Sequence, residues 1–228
     1  MSTITLHRDV TERTERVQER IRKACARTGR DPASVTLVAV TKGQSAEVIQ
    51  AGYEAGLRHF GENRVQEALP KIEEASNKGV EATWHLIGHL QSNKTKAAAS
   101  AFDVIHSIDS TRLMYRLDTA APTSRDVLLQ INVAGEAQKG GISVNEVSPL
   151  IAAAHETPNL RLRGLMTIAP IASDPEQVRP IFRALRLLAT QFSFPELSMG
   201  MTNDFEVAIE EGATLVRVGR ALFGERTL

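Results

Sequence analysis

Short apolar runs recur along this chain at intervals that helices would fill. Eight are of strand length, at 35–40, 58–61, 83–88, 103–108, 126–133, 162–168, 196–200 and 215–219. Several are apolar at consecutive positions, as expected of parallel strands covered on both faces. The segments between them carry helical spacing. In 175–192 the residues Val178, Ile181, Phe182, Leu185 and Leu188 recur at three- and four-residue steps, and Pro175 suits a first turn. The stretches 45–54, 64–77, 110–120, 145–155 and 203–211 read the same way, and an amphipathic helix from about Val10 to Ala26 precedes the first strand. Eight strand–helix alternations without a compositional break predict one domain over residues 1–228, an α/β fold closed as a (β/α)8 TIM barrel. The competing open doubly wound sheet would carry a glycine-rich turn after its first strand. Here that position reads Thr41-Lys42-Gly43-Gln44.

Composition narrows the classes of function. Lys plus Arg and Asp plus Glu number 27 each, a zero net charge that gives no reason to expect nucleic acid or an anionic membrane as partner. The single cysteine, Cys25, excludes an internal disulfide and a cysteine-rich metal site, and it is read as a core residue. Charged residues fill the first twenty positions where a signal peptide would need an apolar core, so a cytoplasmic protein is expected.

A barrel of this kind carries its chemistry at the C-terminal ends of its strands. Lys42 ends an almost wholly apolar strand, where desolvation lowers an amine's pKa and makes it nucleophilic toward a carbonyl; a snorkelling lysine on the rim is the plainer reading. Ser198, Gly200 and Thr202 follow the seventh strand, and Gly219-Arg220 follow the eighth. The loops after these two strands are the habitual phosphate site of the fold, although Gly and Ser/Thr also serve ordinary turns. By alternation Arg217 faces the barrel interior with Gly219, and there it needs an acceptor such as a phosphate, a carboxylate or a ring nitrogen. His59, His85, His89, His106 and His155 show no metal-ligand grouping and are read as structural. Asp204 is read as a helix cap in preference to an acid or base.

These residues carry a resemblance. The blocks Leu37–Lys42, His59–Asn63, Trp84–Lys94, Arg163–Ile168, Leu197–Met201 and Val216–Arg220, in this order, resemble the pyridoxal phosphate homeostasis family, which is similar in fold to the barrel domain of alanine racemase (PLP fold type III). The likeness spans roughly residues 34 to 224. It implies pyridoxal 5′-phosphate (PLP) as cofactor, held as a Schiff base on Lys42. Ser198, Gly219 and Arg220, with Gly200 and Thr202, would hold the phosphate; Arg217 would face the pyridine nitrogen; Asn63 and Met166 would line the ring. The chain departs from the pattern at Thr41 and Gly43, where serine and threonine are commoner, at Arg64, where tyrosine is common, and at Thr202-Asn203.

The resemblance implies a protein that stores and delivers PLP to apoenzymes, with no catalytic residue of its own and a monomeric state. The alternative is an amino-acid racemase, which needs a proton donor on each face of the ring. The only tyrosines, Tyr53 and Tyr115, fall in predicted helices, and the sequence ends nine residues after Gly219, so the carrier is preferred. A phosphosugar isomerase or aldolase on the same barrel is the reading left if the resemblance misleads.

Overall fold

The computed structural model describes residues 3–136 and 140–224. Eight parallel strands close on themselves in sequence order: β1 (Thr36–Val40), β2 (His59–Glu62), β3 (Thr83–Leu86), β4 (Val104–Ile108), β5 (Arg125–Gln130), β6 (Leu160–Met166), β7 (Glu196–Ser198) and β8 (Leu215–Val218). Helices α2 (Ala46–Glu54), α3 (Val65–Asn77), α4 (Thr95–Ala101), α5 (Thr111–Ala120), α6 (Val147–Ala154), α7 (Arg179–Gln191) and α8 (Phe205–Glu210) alternate with the strands, and a single turn, α9 (Arg220–Phe223), follows β8. The (β/α)8 barrel is therefore the architecture, with the extra N-terminal helix in place.

That helix, α1 (Thr3–Arg27), is longer than the apolar stripe suggests. Its buried residues Val10, Thr14, Val17, Ile21 and Ala24 fall at three- and four-residue steps, and they pack the helix against α2, α8 and α9. It thus covers the side of the barrel where β8 meets β1. The sequence reading missed α4, and the reason is visible in its composition: Thr-Lys-Ala-Ala-Ala-Ser-Ala carries no long apolar side chain to mark a face. The region 175–192 is also two elements. Asp174 accepts a hydrogen bond from the Glu176 N–H and caps a 3-10 turn, Pro175–Val178, before α7 begins.

Two separate hydrophobic groups hold the fold. The larger lies between the sheet and the helices and includes Phe60, Phe102, Phe182, Phe205 and Cys25, all buried. The smaller, Val38, Val104, Leu128, Met166 and Leu215, fills part of the barrel's interior. Alternate side chains of each strand point inward, and five strands contribute one each to this small cluster. Gly164 is required where β6 meets β7, since a Cβ there would lie 1.9 Å from the Glu196 carbonyl oxygen.

Candidate functional site

The barrel's C-terminal mouth opens on a cavity of about 620 Å³ whose lining includes Lys42, Asn63, Thr202, Arg217, Gly219 and Arg220. Six of the nine residues singled out from the sequence therefore share one wall. The size is that of a pocket for a small organic ligand. Asp204 is its one acidic residue against three cationic ones, so the cavity favours an anionic guest.

Lys42 is placed by the shell behind it. The Thr41 hydroxyl donates to Glu62 Oε1 at 2.7 Å, and Lys71 of α3 donates both to the same carboxylate oxygen at 2.5 Å and to the Thr41 carbonyl at 3.0 Å. Glu62 is fully buried, so this pair is desolvated and depends on its hydrogen bonds. The peptide that carries Lys42 is gripped from both its side chain and its carbonyl. Sequence reasoning assigned no such role to Lys71; a lone acidic residue at the end of an apolar strand, Glu62, was the available signal.

Across the seam, Gly219 lies against β1, where a Cβ would come within 3.1 Å of the Val40 carbonyl oxygen. The turn after β7 is closed by Asp204, whose Oδ1 accepts from the Met201 N–H at 2.6 Å. Asp204 thus caps this turn and makes no side-chain capping bond to α8. Burial raises its carboxyl above the ordinary range, against the pull of the Met201 N–H and Arg217. Gly200 has φ +91°, and a Cβ there would stand 2.5 Å from that of Ala208, so its role is backbone conformation and close packing. Asn63 approaches the next loop equally closely: a Cβ on Gly88 would lie 2.2 Å from the Asn63 carbonyl oxygen.

Three expected site residues are not on the cavity wall. Gly200 has the role just given, and Met166 belongs to the apolar cluster of the interior. Ser198 is fully buried beneath the cavity, where Arg217 Nη1 donates to its hydroxyl at 2.6 Å and His106 Nδ1 lies 2.8 Å away. Both partners of the Ser198 hydroxyl thus lie within the barrel, and Ser198 stands behind the cavity wall. Arg217 Nη2 donates to the Thr167 carbonyl at 2.8 Å, so the guanidinium is held at two points and keeps further N–H donors toward the cavity.

Three of the histidines, His59, His85 and His106, satisfy one another. His59 Nδ1 lies 3.0 Å from His85 Nε2, and His85 Nδ1 lies 2.9 Å from His106 Nε2. With Ser198 and Arg217 they form one continuous file through the barrel interior. Burial drives His85 down to about 3, helped by His59. His106 is held well below its ordinary value by burial, His85 and the arginine charge. Burial also lowers His59, opposed by Asp103. Arg217 falls to about 10 through burial, with Asp204 opposing. The imidazoles are therefore neutral and Arg217 is charged near neutral pH. β2, β3 and β4 each contribute one inward histidine, an arrangement that a search for metal spacing overlooks. Among the described residues no group of three or more His, Cys, Asp or Glu is arranged to hold a metal ion, and no helix is long and apolar enough to cross a membrane.

The geometry agrees with what the chain is similar to. The family model for the alanine racemase N-terminal domain matches residues 13–227. A pyridoxal phosphate homeostasis protein of Aquifex aeolicus is 46% identical over 224 residues, covering 94% of this chain and 97% of that protein. Its counterpart in Escherichia coli K12 is 42% identical over 230 residues, with 96% and 97% covered. The solved structure of PipY from Synechococcus elongatus PCC7942 with PLP bound is 36% identical, covers 94% of this chain and all of that one, and superposes with a TM-score of 0.82. Alanine racemase of Corynebacterium glutamicum, at 15% identity and a TM-score of 0.72 over 62% of its length, shares the fold. The chain belongs to the pyridoxal phosphate homeostasis family, on the barrel of the alanine racemase N-terminal domain.

Proposed function

We propose that this protein binds PLP on Lys42 and serves intracellular PLP homeostasis as a carrier, with little or no catalysis of its own. The observation that carries the reading is the convergence of Lys42, Arg217 and the turns bearing Thr202 and Gly219 on one cavity. A lysine amine for the aldehyde, a buried cation for the ring nitrogen and small residues for the phosphate fit the three ends of this cofactor. When bound, PLP supplies a reactive aldehyde conjugated to an electron-withdrawing ring. Lys42 would hold the aldehyde end, Thr202, Gly219 and Arg220 would hold the phosphate, and Asn63 would line the ring. Arg217, which keeps its proton, would leave the ring nitrogen unprotonated and so weaken the ring as an electron sink.

The carrier reading, in preference to the racemase, is supported by where the tyrosines lie. Tyr53 packs under Arg58, and the Tyr115 hydroxyl donates to Glu156 at 2.6 Å on the outer surface, so neither lines the cavity. We further propose that the chain acts as one domain in the cytoplasm, as a monomer, and passes PLP to dependent apoenzymes. Among the described residues the exposed large apolar side chains Ile4, Leu69, Tyr115, Val144 and Leu187 lie on separate elements, and Ile168 and Ile171 share the loop at the cavity mouth, which supports the monomer.

The test is the visible absorption spectrum of the protein loaded with PLP, for wild type and Lys42→Ala, before and after borohydride. A visible band in the wild type that borohydride fixes onto Lys42, and that Lys42→Ala lacks, is expected. A wild type that stays colourless at saturating PLP overturns the reading.

A further inference from the structure

The file of polar groups in the barrel interior has a sense, and the sense follows from counting protons. Arg217 has no lone pair to offer, so its Nη1 donates to Ser198 Oγ. The Ser198 hydroxyl is fully buried, and His106 Nδ1 is its one other hydrogen-bond partner among the described residues. A buried hydroxyl proton without an acceptor costs on the order of 1–3 kcal/mol. The proton therefore goes to His106 Nδ1, which must be the bare nitrogen of that ring. A neutral imidazole with a bare Nδ1 carries its proton on Nε2, and His106 Nε2 accordingly donates to His85 Nδ1. The same rule passes along to His85 Nε2 and His59 Nδ1. His59 Nε2–H ends the file, and His59 lines a second cavity of about 350 Å³ at the opposite end of the barrel, bordered by Gln18 and Arg22 of α1.

We propose that Ser198 and His106 are positioning residues for Arg217: the one-way file Arg217→Ser198→His106→His85→His59 fixes the guanidinium at the cavity floor, where it meets the pyridine nitrogen of the ligand. This rests on the PLP reading given above. With the file intact, the guanidinium is pinned between the Ser198 hydroxyl and the Thr167 carbonyl. Without the hydroxyl, one point of attachment remains and the group can swing about it. Ser198 in this role contributes to binding through the ring and not through the phosphate.

Two measurements test the proposal. In the ligand-free protein, nitrogen NMR of the histidine rings should find His59, His85 and His106 as neutral Nε2–H tautomers at neutral pH. A proton on His106 Nδ1, or a charged His85 or His106, overturns the direction assigned to the file. Binding is then compared for PLP and for pyridoxal, which shares the ring and lacks the phosphate. Ser198→Ala should weaken both by the same factor, about tenfold for one charge-assisted hydrogen bond. Thr202→Ala should weaken PLP alone. A Ser198→Ala protein that loses PLP but keeps pyridoxal makes Ser198 a phosphate ligand and overturns the proposal, as does one that binds both like wild type. His106→Leu should reproduce the equal loss, and His106→Asn, which restores an acceptor near the Nδ1 position, should recover it; this pair decides the matter if Ser198→Ala does not fold. A wild type that binds neither compound sinks the PLP reading, and the tautomers still decide whether the file runs as assigned.

Discussion

The barrel's inside and its outside are packed by different rules. Between sheet and helices lies a broad apolar layer in which Phe60, Phe102, Phe182 and Phe205 are fully buried and carry no polar obligation. Inside the barrel five apolar side chains cluster among the described residues, and the same interior holds three imidazoles, a hydroxyl and a guanidinium joined end to end. The outer layer gains stability from area removed from water and tolerates exchange among residues of similar volume. The inner file gains little net free energy per bond and loses heavily when one member is removed, because its neighbours are stranded. Stability is concentrated in the first region and identity in the second.

The comparison can be broken or sharpened by substitution. The largest effect is expected from Phe182→Ala in the outer layer, about 3–5 kcal/mol by denaturant unfolding, with PLP affinity of the folded fraction unchanged. A loss of affinity equal to that of an interior variant would erase the distinction.

Next comes His85→Leu, about 3 kcal/mol at neutral pH, since the facing nitrogens of His59 and His106 lose their partner. The pH dependence has a definite sign. His85 sits at about 3 when folded against an ordinary 6.5, so the unfolded chain takes up the proton first. Above that ordinary value His85 contributes nothing to the pH dependence. As pH falls below it, the wild type loses stability by about 1.4 kcal/mol per pH unit from this residue, until the pH nears the folded value. Unfolding of His85→Leu followed from neutral to acid pH should have a slope shallower by that amount, and an unchanged slope would place the acid sensitivity elsewhere.

Gly200→Ala should cost about 2 kcal/mol from a strained positive φ and the contact with Ala208 and should weaken PLP binding by shifting the Thr202 turn. Gly56→Ala, also at φ +91° but with nothing within 4 Å, should cost less and leave binding alone. The smallest effect is expected at the surface. Arg183→Ala removes one of three arginines around Glu211 and should cost below about 1 kcal/mol, less in high salt.

What could be read from the sequence divides along the same line. The outer layer follows periodicity, so eight strands and most helices were legible; α4 was not, because its alanines carry no directional pattern. At the site, Lys42, Arg217 and Gly219 were legible from position at strand ends. Ser198 was read with the loops after the seventh and eighth strands and from the resemblance, and alternation alone does not say how deep an inward side chain sits. The file was illegible for a related reason: each histidine belongs to a different strand, and their adjacency exists only once the register brings His85 of β3 beside its neighbours. The clamp on Thr41 needs a helix residue, Lys71, thirty positions away.

That clamp has a consequence for how a load is carried. Glu62 and Lys71 fasten the Thr41 side chain and carbonyl to the wall, directly before Lys42 on the cavity lining. A hook mounted this way keeps its place whether or not anything hangs from it. On the proposed carrier role, loading and unloading would require no rebuilding of the mount, and the ease of exchange would be set by the cargo's own grip.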